Sequence, residues 1–253
     1  MPFSSCNPER RLEEAALNAW PALTELLYDG WVLRLTRGFT RRANSVTPLF
    51  AGGARPLEAK IDYCETLYRR RELTPCFRLP DCVDTAALGS ALRGRGYGRV
   101  APSRVLARAL APTTGTDPDA AAVRWLEAEA WLRAYGILTG APESVQTLHG
   151  LVLGGIAGHC LFAVLRVDDV PRACVLGVVE DDLLGLFDLV TARDARRQGH
   201  ARTLLRVVCA RGAALGARRA YLQVDEENDA ALQLYSGMGF EHAYGYVYMV
   251  PNA

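Results

Sequence analysis

The stretch Leu184-Gly-Leu-Phe-Asp-Leu-Val190, followed by Thr191-Ala-Arg-Asp-Ala-Arg-Arg-Gln-Gly-His-Ala201, decides the fold of this chain. Its first segment is a short apolar run with one carboxylate, Asp188, and it predicts a buried β-strand. The second segment is rich in arginine, and the residues after it, 201–215, have the apolar spacing of a helix. A strand followed by a basic loop with a glycine and then by a helix indicates a binding site for an anion.

The loop has the chemistry that a diphosphate requires. Gly199 and the small Ala201 let the backbone approach a ligand closely, while the first-turn amides of the helix are unpaired donors at the positive end of its dipole. The arginines at 193, 196 and 197 can add charge-assisted hydrogen bonds. Arginines before a helix are also common on solvated surfaces, so the loop alone does not establish a phosphate site.

The segment after this helix continues the alternation of strands and helices. Residues 220–225 alternate like a strand, and Asn228 is placed to cap a helix over 229–236 that carries Tyr235. Gly239 suits a left-handed end to that helix, and a final strand is predicted over 244–250.

Two motifs in this region resemble the GNAT N-acetyltransferase superfamily. Arg196-x-x-Gly199-x-Ala201 is similar to the R/Q-x-x-G-x-G/A loop for the pyrophosphate of coenzyme A, and Asn228-x-x-Ala-x-x-Leu-Tyr235 with Gly239-Phe240 is similar to a second segment. The resemblance covers about the last third of the chain. It implies the GNAT acyl-CoA N-acyltransferase fold, of class α/β (α+β), with a mixed, mostly antiparallel central sheet flanked by helices.

The resemblance also implies an activity: direct transfer of acetyl from acetyl-CoA to a primary amine of a small molecule or peptide. Tyr235 matches the general acid, and the base is Asp188, Glu180 or a water relay. The residues expected to contact acetyl-CoA are Val190, Thr191, Arg196, Arg197, Gln198, Gly199, His200, Ala201 and Asn228. The identity of the acceptor stays open. A non-catalytic acyl-CoA sensor is the alternative, against which Tyr235 and Asp188 favour an enzyme.

An internal repeat indicates two similar units in tandem. The pair Gly96-Tyr97 aligns with Gly239-Phe240 at an offset of 143 (239 minus 96). We therefore predict domains at 1–112 and 113–253, with a linker over 111–118. The first unit is expected to be degenerate, because Pro56 enters its helix and Leu92 replaces Tyr235. We therefore predict that each chain binds one acetyl-CoA. A truncated protein that begins near Asp117 should still bind acetyl-CoA but should be less stable or less active.

Three further segments carry expectations about the rest of the chain. Residues 8–27 are interpreted from their apolar spacing as a helical stretch interrupted at Pro21, and residues 123–135 as a helix. Residues 30–37 and 42–48 are interpreted as two strands with many polar side chains, Arg42 among them. This hairpin either reaches the acceptor side of the cleft, where arginine suits a carboxylate, or is solvated and braced by its own hydrogen bonds.

Composition limits the class of protein. Half of the 253 residues are hydrophobic and the formal net charge is +1, so we expect a globular protein with no overall attraction for nucleic acid or an anionic membrane. No apolar run is long enough to span a bilayer. The seven cysteines and four histidines are scattered, which predicts free thiols and no metal. Without a signal-peptide pattern at its start, the chain is expected to be cytoplasmic; no oligomer is indicated.

Overall fold

A computed structural model describes residues 7–50, 53–111 and 118–252 of the chain. The strands are β1 Thr24–Tyr28, β2 Trp31–Leu35, β3 Val46–Thr47, β4 Phe77–Pro80, β5 Tyr97–Ala109, β6 Val123–Trp125, β7 His159–Val167, β8 Val170–Glu180, β9 Leu183–Thr191, β10 Arg219–Asp225 and β11 Glu241–Pro251. The α-helices are α1 Pro8–Asn18, α2 Leu57–Arg70, α3 Ala86–Gly94, α4 Ala128–Thr139, α5 Glu143–Gly154, α6 His200–Ala214 and α7 Asp229–Ser236.

These strands form one continuous sheet in the order β1-β2-β3-β4-β11-β5-β10-β9-β8-β7-β6. Within the described ranges, β3–β4 and β9–β10 are the parallel neighbours, and the other pairs are antiparallel. The predicted fold class, a mixed and mostly antiparallel sheet flanked by helices, is confirmed. None of the helices in these ranges has the length and hydropathy needed to cross a membrane.

The helical stretch predicted over 8–27 does break near Pro21 as expected, but its helical part beyond the proline is wrong. α1 ends at Asn18, and the residues that follow Pro21 form strand β1. Proline has no amide hydrogen and restricts the residue before it, which explains why the helix does not continue. Asp29 and Gly30 then make a two-residue turn with φ of 47° and 86°, which pairs β1 with β2. An Asp-Gly pair favours this hairpin turn, and the helical interpretation overlooked it.

The helix predicted over 123–135 is wrong in its first residues. Residues Val123–Trp125 form β6, which pairs with β7 at the edge of the sheet, and α4 begins at Ala128. Sheet pairing with a distant strand outweighs the local helical spacing here. The other predicted helices and strands of the described ranges are present, although β3 has only two residues.

Strands β5 and β11 join the two halves of the chain. β5 comes from the first half and lies between β10 and β11, whereas β11 ends the chain and lies between β4 and β5. Each half thus completes its part of the sheet with a strand from the other half. This arrangement could not be read from the repeat, because a sequence repeat does not show which copy pairs with which.

The offset of 143 residues recurs in the structure. α2, β4, α3 and β5 begin at residues 57, 77, 86 and 97, and α6, β10, α7 and β11 begin 142 to 144 residues later, at 200, 219, 229 and 241. At the centre of the sheet Ser103 pairs with Tyr246, and these residues are themselves 143 apart. An approximate two-fold axis passes through this pair. The predicted domain boundary stays a prediction, since most of the predicted linker, residues 112–117, lies outside the described ranges.

A buried ion pair of the first half is also hydrogen-bonded to the second half. Arg78 on β4 donates hydrogen bonds of 2.7 Å to both carboxylate oxygens of Glu13 on α1, and the Tyr244 hydroxyl on β11 donates a third of 2.6 Å. Burial opposes the ionisation of Glu13, but the charge and hydrogen bonds of Arg78 outweigh it and lower its pKa. Removing one partner would leave a buried charge, which typically costs about 3–5 kcal/mol.

Candidate active site

A cleft opens where β9 and β10 separate. The two strands pair in parallel from Leu183 opposite Arg219 to Leu186 opposite Leu222, and their pairing ends there although both strands continue. The cleft between their carboxyl ends has a volume of about 1250 Å³. Crevices of this kind at the carboxyl ends of diverging strands are the usual ligand sites of open sheets that contain parallel strands.

Strand β9 bends at Asp188, on the wall of this cleft. Its pairing with β8 passes from Phe187 opposite Leu176 to Val190 opposite Cys174, so β9 contains one extra residue, a β-bulge. Asp188 has a φ of 52°, a conformation that aspartate adopts more readily than most residues. A bulge leaves its extra residue outside the regular ladder, which frees backbone groups at the position where the sequence predicts contacts through Val190 and Thr191.

The predicted pyrophosphate loop lies at one end of the cleft and presents open backbone amides. Gly199 precedes α6 with a φ of 85°, and a Cβ atom added to it would meet no atom within 4 Å. α6 has no side-chain cap at its amino terminus, so its first-turn amides face the cleft without a protein acceptor from the cap position. This geometry fits an anionic group bound by the helix terminus.

The residues predicted to contact acetyl-CoA are brought together here with one exception. Those that line the cleft are Val190, Thr191, Arg196, Arg197, Gly199, His200, Ala201 and Asn228. The Gln198 side chain instead donates a hydrogen bond of 3.2 Å to the carbonyl of Asp194 and is exposed. Asn228 has the predicted capping role, since its side chain accepts a hydrogen bond of 3.1 Å from the amide of Ala231. The role of each residue in binding stays a prediction.

Tyr235 lies on the wall of the cleft formed by α7. The side chain is buried, and its ring packs edge-on against Phe240 with centroids 5.9 Å apart. Among the described residues none is hydrogen-bonded to its hydroxyl, so the phenol is not held by a backbone carbonyl. Burial raises the pKa of Tyr235 to about 12, and the phenol is therefore neutral at physiological pH.

Asp188 has a partner that the sequence did not indicate. The Nε2 atom of His149, on α5, lies 2.9 Å from Oδ2 of Asp188, which is within ion-pair distance, but the two groups are not aligned as a hydrogen bond and neither atom has a hydrogen-bond partner in the described part of the chain. His149 is almost completely buried, whereas 16% of the Asp188 side chain is exposed. The carboxylate therefore faces the cleft with the imidazole behind it.

Aromatic rings enclose this pair. The rings of Trp20, Phe39, Trp131 and Tyr135 lie 4.9 to 5.9 Å from the His149 ring, centroid to centroid. Tyr135 also lines the cleft, and burial together with the charge of Asp188 raises its pKa. The environment thus restricts water around His149 and Asp188. No sequence signal linked His149 to Asp188, because the contact joins a helix and a strand through tertiary packing alone.

Glu180, the other predicted base, lies elsewhere. It ends β8 at the turn into β9, and its carboxylate accepts a hydrogen bond of 2.8 Å from the Asn18 side chain. It is not one of the residues lining the cleft. This placement favours Asp188 over Glu180 as the carboxylate that meets an acceptor.

Arg42 is the polar hairpin residue that reaches the cleft. Arg37 and Thr40 in the same segment are exposed, but Arg34 and Ser45 are fully buried and Asn44 nearly so. The expectation of a solvated hairpin is therefore wrong for the buried residues, although internal hydrogen bonds do brace them. The first half of the chain thus contributes a cation to a cleft built mainly by the second half.

The first half of the chain has a loop that corresponds to residues 196–201, and a carboxylate of the protein itself occupies that loop. Pro56 precedes α2 as Gly199 precedes α6, and the Asp29 carboxylate accepts hydrogen bonds of 2.8 and 3.1 Å from the amides of Ala54 and Arg55. These amides, together with the Lys60 ammonium 3.4 Å away, lower the pKa of Asp29. The structure thus adds a second obstacle, beyond proline, to a diphosphate at this helix.

The fold and the cleft are those of an acyltransferase of the GNAT N-acetyltransferase superfamily, and comparison with known proteins supports the same class. The chain belongs to the family described as probable histone acetyltransferase Rv0428c C-terminal, whose model matches residues 8–249.

Relatives resemble the chain over nearly its whole length. It is 28% identical over 247 residues to the Bacillus subtilis (strain 168) protein named uncharacterized N-acetyltransferase YobR, covering 93% of this chain and 97% of that protein. It is 27% identical over 240 residues to the probable histone acetyltransferase Rv0428c of Mycobacterium tuberculosis (strain ATCC 25618 / H37Rv), covering 94% and 73%. A GCN5-related N-acetyltransferase from Kribbella flavida shares the fold, with a TM-score of 0.68, 17% identity and coverage of 98% and 97%.

Proposed function

We propose that the protein transfers acetyl from acetyl-CoA directly to a primary amine. One observation carries this proposal: a single cleft brings the open amides of the Gly199 loop together with the Tyr235 phenol and the Asp188 carboxylate. When bound, acetyl-CoA supplies a thioester. The loop at α6 would hold its pyrophosphate through first-turn amides and the arginines at 196 and 197.

In this proposal Tyr235 stabilises the leaving thiolate. A phenol with a pKa of about 12 is a weaker acid than a thiol, whose usual pKa is about 8.5. Tyr235 is therefore better suited to donate a hydrogen bond to the thiolate than to give up its proton completely. Its free hydroxyl on the cleft wall supports this role.

Replacement of Tyr235 by phenylalanine tests the proposal. The ring packing against Phe240 is kept and only the hydroxyl is lost, so kcat is expected to fall about 100-fold, as for loss of one hydrogen-bond donor to a developing anion. The dissociation constant for acetyl-CoA should change less than about threefold, because the hydroxyl acts on the departing thiolate and not on bound coenzyme. Steady-state thiol release and calorimetry measure the two quantities. Equal losses in both would indicate a packing role instead.

For the base, the proposal assigns Asp188, acting directly or through a water molecule. His149, 2.9 Å away, positions the carboxylate and is itself shielded from the cleft. A carboxylate at the cleft can accept the proton that the amine loses as it attacks. Glu180, bonded to Asn18 outside the cleft, has no such access.

Asp188→Asn should lower kcat/KM for the amine about 100-fold, because asparagine tolerates the positive φ but is a far weaker base. His149→Gln should lower it roughly tenfold, because the carboxylate loses the close contact with the imidazole that positions it. Acetyl-CoA affinity should be unchanged in both. Glu180→Gln is the matched control and should behave as wild type. A loss of activity in this control greater than that of Asp188→Asn would reverse the assignment of the base.

A covalent route through cysteine has no support within the described residues. Cys209 lies on the buried face of α6, and burial raises its pKa to about 11. Cys174 lies behind the bulge, with its Sγ atom 3.9 Å from the Asp188 carbonyl, and burial also raises its pKa. Thiols in these environments are protonated at neutral pH and poor nucleophiles, which favours direct transfer.

A further inference from the structure

We propose that the acceptor is a small amine that also carries a carboxylate, and that Arg42 and Gln223 bind this carboxylate. The inference rests on the proposed function, because the acceptor must enter the same cleft. It uses polar groups on the cleft wall that the transfer itself does not require.

Arg42 is a cation for which the described part of the chain provides no counter-ion. Its guanidinium lies 5.3 Å from the centroid of the Trp20 ring and 5.5 Å from that of Phe187. Its Nε atom is buried and, in the described ranges, has neither a hydrogen-bond acceptor nor an ion pair. Cation–π contacts offset part of the cost of this placement, but an unpaired buried donor remains unfavourable. The side chain as a whole is half-buried and lines the cleft, so a carboxylate in the cleft would meet the guanidinium group and supply its missing counter-charge.

The segment that carries Arg42 is held rigidly. Asn44 accepts hydrogen bonds from the amides of Thr36 and Gly38 (2.6 and 3.1 Å) and donates to the carbonyls of Phe39 and Thr40 (2.7 and 2.9 Å). The carbonyl of Arg42 itself accepts a bond of 2.8 Å from the fully buried Arg34. Much of the entropy of ordering this segment is therefore lost on folding rather than on ligand binding, which favours affinity.

Gln223 provides a second donor on the wall formed by β10. Its Oε1 atom accepts a hydrogen bond of 3.2 Å from the Tyr246 hydroxyl, so the amide nitrogen is the end of the side chain left without this contact. The Nε2 atom is buried and has no hydrogen-bond partner within the described residues. Two side chains with a donor that lacks a partner in the described ranges thus line the cleft, one from each half of the chain.

The opposite charge lies in the same cleft. Asp188 follows Phe187, the residue whose ring Arg42 contacts, and both charged residues line the cleft wall. An acceptor with both charges can place its amine at Asp188 and its carboxylate at Arg42 and Gln223. A polyamine would be repelled by the guanidinium, and a lysine side chain on a protein carries no carboxylate beside its amine. The charges therefore favour a free amino acid or a similar ω-amino acid.

The test measures thiol release from acetyl-CoA with matched amines. The panel contains the twenty amino acids and γ-aminobutyrate, each as the free acid and as the carboxamide, together with spermidine and a lysine-containing peptide. Wild type should prefer at least one free acid over its carboxamide by about 100-fold in kcat/KM. Arg42→Ala should lose that preference, while its kcat/KM for the carboxamide should stay within about threefold of the wild-type value. Arg42→Lys should keep part of the preference for the free acid. A single charge-assisted contact accounts for effects of this size.

Arg41→Ala is the matched control, because Arg41 is the exposed neighbour in the same segment and does not line the cleft. It should behave as wild type. The hydrogen bond from Arg34 goes to a backbone carbonyl and survives in Arg42→Ala, so equal melting temperatures should confirm folding. Preference of wild type for carboxamides, spermidine or the peptide would overturn the inference, as would equal losses on acids and carboxamides in Arg42→Ala.

Failure of the proposed function has a different signature. If no amine accelerates thiol release although acetyl-CoA binds, the proposed transferase function fails. Calorimetry then tests the carboxylate site separately, by measuring the binding of the N-acetyl derivatives of the same acids in the presence of coenzyme A. Binding by wild type that is at least tenfold weaker in Arg42→Ala supports the site, and absence of binding to wild type overturns it.

Discussion

Gly199→Glu is expected to weaken acetyl-CoA binding at least 100-fold, which corresponds to about 2.7 kcal/mol or more. Three effects act in the same direction. Glutamate at a φ of 85° strains the backbone at the helix start. Its side chain enters the space that is open beside Gly199, and its charge opposes the diphosphate. Arg196→Ala should have the smaller effect of one lost charge-assisted contact, about tenfold.

Gly216→Glu is the matched control, since Gly216 lies just beyond the other end of α6, with a φ of 103° and open space around it. It carries a similar backbone strain without approaching the loop, so acetyl-CoA affinity should be retained. The same titration should give one acetyl-CoA per wild-type chain, because Asp29 already occupies the equivalent amides before α2. Unchanged affinity in Gly199→Glu, or two coenzymes per chain, would contradict the assignment of the binding loop.

A fragment of residues 118–253 is expected not to fold cooperatively. Both strand neighbours of β11, namely β4 and β5, belong to the missing half, and β10 loses β5 as well. Tyr244 also loses its buried partner Glu13. An eleven-residue strand without neighbours leaves its backbone groups unpaired, and exposed edges of this kind promote aggregation. This expectation is more severe than the one that the sequence alone supports.

Thermal unfolding followed by circular dichroism, together with light scattering, measures the outcome for the fragment. Coexpression with residues 1–111 as a separate chain is the control, and it should restore a soluble, cooperatively unfolding complex because both exchanged strands are then present. A fragment of 118–253 that melts cooperatively and binds acetyl-CoA by itself would show that β11 can repack, most simply against β10. The two halves would then be independent domains.

The sequence determined the parts of the protein that depend on short stretches of chain. The loop from Arg196 to Ala201, the capping residue Asn228 and the helix carrying Tyr235 occur where the motifs predicted. Their geometry follows from local rules: glycine tolerates a positive φ, asparagine caps a helix, and a helix terminus exposes amides. At Asp29-Gly30 two local rules conflicted, because the apolar spacing predicted a helix and the Asp-Gly pair predicted a hairpin turn. The turn formed, and it could have been predicted from the sequence.

Tertiary structure alone decided the rest of the site. His149 meets Asp188, Arg42 packs against Phe187 in the cleft, and Asp29 binds the amide of Ala54. The residues in these contacts are 25 to 145 positions apart in the chain. No periodicity encodes such contacts, because they depend on which surfaces pack together once the apolar faces are buried. The exchange of β5 and β11 between the two halves likewise depends on tertiary packing and not on a local sequence pattern. Repeats show that two units resemble each other, but the free energy of pairing across the whole sheet selects which strand completes which half.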